Sequence, residues 1–555
     1  MKILRSLAAS VALVSSALAF AQTPIARAEK TISPDRIREY DKFLASDLLE
    51  GRYPGLRGGQ LAAEYIASQF ALYGLKPAGD NGTYMQQVNF VGMKAVPSAT
   101  HFTFEPAKGA ALPLTFGKDF VVSNETLTPS VSFDAPIVFV GFGATAPEYN
   151  WDDYAGVDVK GKIILCIVGD PPSTNPKFFG GDALTYYGRW TYKFEQAARK
   201  GAIGALIIHR TDYASYGWDV VRNSNAGEKT YLRDDANPRL KAASWIQLEV
   251  ARKLFAMSGL NLDEQMAAAS KPGFKAFELP VHLKATVEST VRRFQSPNIV
   301  GILPGANVAA HKPDQAVLYT AHYDHLGIHP DQPGDNIYNG AADNGTGVAM
   351  LLESAYAWSQ FAKQPGVTLP HSVIFSSVTA EEQGLLGSEY LGQHPPIPAD
   401  QIALDINYDM LLPIGMQKEI NVNGAQRTTF FPQVEATAKR FGLAIVPDPR
   451  PSAGSYYRSD HFSLSRVGIP AFSVDSGTLY EGHDRAWGIA QEKDYNDNRY
   501  HNFSDNFDPT WDFRGDANLA RFGMDLGWQV IHAPHSVEWK HGDEFEPARL
   551  ASQKK

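Results

Sequence analysis

The sequence predicts an α/β fold: a mixed, mostly parallel sheet sandwiched by helices and interrupted by an inserted β-rich segment. Three observations lead there. In the second half of the chain, apolar strand-like runs such as "QAVLYTAHYD", "HSVIFSSVTAEE" and "GIPAFSVDSG" alternate with amphipathic helical stretches, the pattern of a parallel sheet covered on both faces. From about residue 115 to about 290 the texture changes to short strands and turns. The length, 555 residues, exceeds what one ordinary core holds.

Taken in order, "MKILRSLAASVALVSSALAFAQT" has a basic start, an apolar run and a small-x-small site at Ala19–Ala21. This is the grammar of a secretory leader spanning residues 1–21. The mature chain is expected to be exported, periplasmic or secreted, with no membrane anchor. "DRIREYDKFLASDLLEGRYPG" and "GGQLAAEYIASQFALYGLKPAG" then read as helices; Ala62, Tyr65, Ile66 and Tyr73 share one face of the second, and Gly74 is its stop. The middle segment offers the strands "PIVFVGFG", "GKIILCIVGD", "GALIIHR" and "SWIQLEV", with "TYKFEQAARKGA" a helix among them. The third texture begins near Ser296 with "PNIVGILPG". Acidic residues outnumber basic ones, 60 to 51, and no Lys/Arg cluster supplies the face a nucleic-acid partner needs. The single Cys166 excludes an internal disulfide, and its apolar strand marks it as a buried, inert thiol.

Chemistry gathers where the later strands end. "VLYTA" runs into His322, with Asp324 two residues on; "NGAADNGTG" places Asp343 ahead of a helix; "VIFSSVTA" runs into Glu381 and Glu382; "IALDINY" leads to Asp409; "NRYHNFSDNFD" offers His501. In open sheets, functional side chains collect at the carboxyl ends of strands. Imidazole and carboxylate donors suit zinc, and five of them are enough for two ions sharing a carboxylate. Asp343 is the natural bridge, and the Glu doublet would let one carboxylate bind metal while its neighbour takes a proton. Asp324 is expected to accept the second ring N–H of His322. Spacing alone does not choose Asp409 over Asp405, nor His501 over His483.

In this order, "AHYDHLG", "NGAADNGTG", "TAEEQGLLGS", "NYDML" and "YHNFSDNFD" resemble the M28 family of co-catalytic zinc peptidases. The resemblance implies the zinc exopeptidase fold over residues 30–115 and 291–540, and a protease-associated (PA) domain inserted at 116–290. It implies two zinc ions held by His322, Asp343, Glu382, Asp409 and His501, with Glu381 the general base. It also implies a cis peptide after Asp343, and a tyrosine, Tyr500, whose hydroxyl meets the oxyanion.

Of the remaining candidates, His325 is expected to be a rim or packing residue, His329 a loop residue and Arg458 a surface residue in preference to one that meets a substrate carboxylate. Asp460 and His461 could orient ligands or bond structurally, and Asp508 could brace His501 or cap the next helix. "GHDRAWG" reads as a pocket-edge loop, and the insert is given no catalytic role. The reading is an exported zinc aminopeptidase acting on peptides, its oligomeric state open. The ligand-bearing segments 313–362 and 364–417 contain no Lys or Arg, which favours recognition of a substrate ammonium. Its rivals are a glutamate-carboxypeptidase-like enzyme, a glutaminyl-cyclase-like acyltransferase and a non-catalytic relative. The complete donor set argues against the last two.

Overall fold

The structure is a computed structural model describing residues 24–554 except 215, 331 and 332; the leader expected at 1–21 lies outside the described residues. Helix α1 (Pro34–Leu44) opens on Ser33, whose hydroxyl accepts from the Arg36 amide, with Pro at the first turn. It ends at Leu44, earlier than its sequence pattern suggests, because a 3-10 turn follows at Asp47–Arg52. Helix α2 (Arg57–Tyr73) buries Ala62, Ile66 and Tyr73 and stops at Gly74, which is left-handed at φ 87°.

Eleven strands matter for the site. They are β1 (Met85–Ala95), β2 (Phe120–Ser123), β3 (Ser130–Phe139), β4 (Ile163–Ile167), β5 (Gly204–His209), β6 (Ala242–Gln247), β7 (Phe277–Leu303), β8 (Ala316–His322), β9 (Val373–Val378), β10 (Ile402–Asn407) and β11 (Ala471–Ser473). They lie in one 15-stranded sheet with the path β11-β10-β8-β9-β7-β3-β4-β5-β6-β2. Strands β8 to β11 run parallel to one another. Strand β7 is antiparallel to β9 on one side and to β3 on the other. "SWIQLEV" is only partly strand: β6 ends at Gln247 and a helix starts at Leu248.

Strand β7 is the hinge of the architecture, 27 residues long. Its first half alternates, burying Leu279, Val281, Leu283, Ala285 and Val287 while Pro280, His282 and Lys284 face out. Its last residues are almost continuously buried, as expected where helices cover both faces. "PNIVGILPG" is therefore the end of a strand begun twenty residues earlier.

Helices α3 (Thr346–Ala362) and α4 (Arg514–His532) join α1 and α2 on one face of β8–β10, around Tyr319, Phe375, Tyr408 and Trp358. A second core closes the opposite face through Leu318, Ile374, Ile402 and Leu464. Strands β3 to β6 carry separate apolar clusters on their two faces. Cys166 is buried in one of them, and burial pushes its thiol up to about 12, the inert state its sequence context suggests. Among the described residues, no helix is long and apolar enough to cross a membrane.

Candidate active site

Parallel pairing sets the site. His322 is the last residue of β8 and pairs with Val378, the last of β9, while Thr320 pairs with Asn407, the last of β10. The carboxyl ends of β8 and β9 are thus level, β10 ends opposite Thr320 just short of them, and the residues after each strand turn out over the same rim. Ala380, Met410 and His501 have left-handed backbones, with φ of 56°, 54° and 54°, a conformation uncommon in non-glycine residues. Two of these lie beside Glu381 and Asp409, and the third is His501 itself.

The side chains meet there. His322 Nε2 lies 3.1 Å from Asp409 Oδ1 and 3.4 Å from Asp343 Oδ1. His501 Nε2 lies 3.2 Å from Asp343 Oδ2 and 3.0 Å from Glu382 Oε2. Asp343 stands between the two histidines, one oxygen toward each. The alternatives lie elsewhere: Asp405 accepts a hydrogen bond from Thr320 at 3.0 Å inside the sheet, and His483 stacks on Trp487 with centroids 3.7 Å apart. The Asp343–Asn344 peptide is cis, as expected.

Three readings are sharpened, one of them by correction. Of the two expectations for His325, packing holds and the rim does not: it is fully buried inside the cluster, with Nδ1 2.6 Å from Glu382 Oε1; the turn after β8 folds its ring back against Gly340. Asp324 does not reach His322 with its carboxylate, which stands 3.8 Å from Nδ1; the ring nitrogen lies 3.2 Å from the Asp324 carbonyl instead. That carboxylate accepts from the amides of Glu381 and Glu382, at 3.0 and 3.4 Å, and so holds the Glu doublet. Arg458 is exposed, as expected, and it lines the cleft together with Arg450 and Arg485, so segments after those of the first four candidate ligands bring cations to the site.

Other supports were not legible. Ser459 donates to Asp409 Oδ2 at 2.5 Å and accepts from Asn407 at 2.7 Å. Asp505 accepts the amides of Ala342 and Asp343, both at 3.1 Å. Asp508 only closes a turn with Thr510. Arg52, buried, gives its guanidinium to four carbonyls: Tyr323 at 2.7 Å, Leu44 at 2.6 Å, Asn339 at 2.5 Å and Gly340 at 2.8 Å. It ties the loops of His322 and Asp343 together. Its sequence context, "EGRYPG", reads as a helix end.

The electrostatics separate the Glu doublet. Burial, reinforced by Asp409 and Glu382 against His322, holds the Glu381 carboxyl well above its ordinary range. Glu382, which burial alone would raise, is drawn down to about 2, chiefly by His501 and His325. Asp343 goes well below the usual carboxylate range, as hydrogen bonds from His322 and His501 outweigh burial. Burial would lower His322 and His501, but their carboxylate neighbours raise both well above the ordinary imidazole value. Tyr500 stacks on His501 with centroids 3.9 Å apart. Desolvation within the cleft, then Asp343, Glu382 and Glu381, keep its phenol protonated far above its usual range. His461, buried beside Tyr456, is held neutral by burial, which pushes it down to about 3.

The donor set suits metal. Donor atoms of His322, Asp343 and Asp409 lie within 4.8 Å of one another, as do those of His325, Asp343 and Glu382. The two groups share Asp343. Among the described residues, no Lys or Arg pairs with Asp343, Glu381, Glu382 or Asp409. Clustered carboxylates with imidazole nitrogens between them, and no basic partner, call for cations, and nitrogen and oxygen donors are zinc's. The cluster opens into a cavity of about 540 Å³ that also admits Glu381, Tyr500, Asp448, Asp475 and Glu492.

Comparison with known proteins follows the same line. A family profile described as "Peptidase family M28" matches residues 298–519. A probable leucine aminopeptidase from Arthroderma otae is 28% identical over 200 residues, 35% of this chain and 51% of that protein. Leupeptin-inactivating enzyme 1 from Streptomyces exfoliatus is 30% identical over 183 residues, 31% of this chain and 38% of that protein. The chain thus spans about half the length, or less, of these curated relatives. Among solved structures, an aminopeptidase from Aneurinibacillus sp. strain AM-1 superposes with a TM-score of 0.50 at 19% identity, covering 91% of this chain and 96% of that one, and shares its fold.

Proposed function

We propose, from the match of residues 298–519 to the profile of peptidase family M28, that the chain is a co-catalytic zinc aminopeptidase that releases N-terminal residues from peptides. The observation that carries the reading is the shared-Asp343 donor set opening, with Glu381, onto one cleft. His322 and Asp409 would hold one zinc, Glu382 and His501 the other, and Asp343 both. Zinc bound there supplies Lewis acidity toward water and the peptide carbonyl.

The chain's own residues do the rest. Glu381 has no hydrogen bond to a histidine among the described residues and faces the cleft; the burial and neighbouring carboxylates that raise its proton affinity suit it to take a proton from the attacking water and return it to the departing amine nitrogen. Tyr500, with its phenolic proton retained, donates toward the carbonyl oxygen as negative charge develops on it. Asp324 and Asp505 fix backbone, and Ser459 fixes Asp409. The leader-like residues 1–21 support export to the periplasm or medium. Residues 116–290 support a PA-type insert, whose helix and turn at 184–195 pack against the cleft wall: Leu184 donates to the Pro451 carbonyl at 3.0 Å, and Glu195 pairs with Arg466 at 3.1 Å.

An exopeptidase must recognise a chain end, and a buried ammonium needs an anionic partner. N-acetylating a cleaved pentapeptide is expected to abolish hydrolysis by the zinc-loaded enzyme, and amidating its C-terminus to leave the rate nearly unchanged, both read by mass spectrometry. The three cleft arginines favour a second reading, a carboxypeptidase of the glutamate-carboxypeptidase kind. The reverse pattern in that assay would establish it.

A further inference from the structure

The cleft arginines are not alike. Arg485 is paired with Glu419, and Arg450 lies 3.7 Å from Glu492 and 3.4 Å from Asn496. Arg458 has no hydrogen bond or ion pair to any described residue, although it is exposed on the wall that holds His322, Asp409, Tyr500 and His501. It immediately precedes Ser459, the residue that fixes Asp409, so its backbone is anchored at the metal cluster while its guanidinium is left for a ligand. The insert braces this wall: Tyr186 stacks on Tyr457, centroids 6.0 Å apart, and packs on Phe462 at 4.9 Å. The next turn carries Arg189, whose Nε is buried without an acceptor. Burial first, and then the positive charge of Arg458, push Arg189 down to about 10. Arg189 has no ion pair among the described residues, so it offers Arg458 no counter-charge.

We infer that Arg458 forms a subsite for a carboxylate on the residue just beyond the scissile bond. The inference rests on the aminopeptidase reading. In that reading the N-terminal residue fills the closed end of the cleft and the leaving portion extends toward the mouth, where Arg458 is exposed. A guanidinium without a protein partner is a planar, always-charged donor fork that matches a carboxylate. Two substrate carboxylates fit: the C-terminus of a dipeptide, or an acidic side chain following the cleaved residue. Either makes the enzyme favour short or acidic peptides, and it makes C-terminal amidation matter for dipeptides while leaving pentapeptides indifferent.

The test is steady-state hydrolysis by the zinc-loaded full chain of Leu-Ala against Leu-Ala-amide, and of Leu-Asp-amide against Leu-Asn-amide. One or both kcat/KM ratios are expected to be about 10 to 100, carried by KM, as suits a charge-assisted hydrogen bond. The first ratio assigns the terminal carboxylate and the second the side chain. In Arg458→Gln the elevated ratio should fall toward one, and in Arg458→Lys a part of it should persist. Ratios of one in the wild type, or ratios unmoved in Arg458→Gln, overturn the subsite while free-amine cleavage leaves the aminopeptidase reading standing. Cleavage only of N-acetylated peptides overturns both.

Discussion

Glu381 and Glu382 are adjacent in sequence, yet one faces open cleft and the other is gripped by two imidazoles. The proposed base is therefore separable from the proposed ligand. Glu381→Gln should lower kcat by about 10²- to 10⁴-fold while metal analysis still finds the wild-type zinc content. Zinc loss in that variant would exchange the two roles. His325 gives a complementary case. Its ring touches Glu382 from the side opposite His501, so His325→Ala should weaken one zinc by about 10- to 100-fold in a chelator competition and leave the other in place. The motif "AHYDHLG" showed that histidines cluster here but not which of them turns inward. That is decided by the turn after β8 and by Gly340, neither of which leaves a periodic trace. His322, Asp343 and Glu382 were legible because each follows or precedes a recognisable element, whereas Asp409 and His501 were singled out only by the family resemblance. Ser459 and Asp505 were not, since a serine and an aspartate in loops look alike whether they bond metal ligands or water.

The loop from Asn339 to Gly345, which feeds α3, shows how a short segment is held by its neighbours. Gly340 is left-handed at φ 57°, and a Cβ there would lie 2.3 Å from the Asp343 carbonyl and 2.6 Å from the His325 ring. Gly340→Ala should thus cost at least about 1 kcal/mol from the dihedral alone and more from the clash. A lower urea midpoint together with a lower zinc content would be the signature, and an unchanged zinc content would separate loop stability from site geometry. Periodicity revealed α2 and its Gly74 stop because burial is one-sided there. It revealed only the end of β7, where burial is continuous. The earlier alternation over "ELPVHLKATVEST" was present in the sequence, but a strand running through two layers has no single period.

Across the molecule, buried acids set a pH response independent of the cleft. Burial raises Asp516, at the start of α4, to about 7 and Asp153, under β3 and β4, to about 6. Both are 3% exposed. With folded pKa values above the unfolded ones, the native state binds more protons than the unfolded chain between about pH 4 and these values. Their contribution is present below pH 4 and is lost as pH rises through 6 to 7. Thermal midpoints of the zinc-loaded chain should therefore fall less steeply from pH 5 to pH 8 in Asp516→Asn than in the wild type. Identical slopes would remove Asp516 from the account. None of this was readable beforehand, because an aspartate after a turn normally announces a solvated cap.

Strand β7 has a consequence for how the protein can move and be cut. Because one unbroken backbone serves both halves of the sheet, the segment before it cannot swing on a linker as a lid does; any displacement must bend a hydrogen-bonded ribbon. Deleting 116–290 would cut the ribbon at its middle and remove the ladder that its first half makes with β3, while residues 291–303 would keep β1 and β9 as partners.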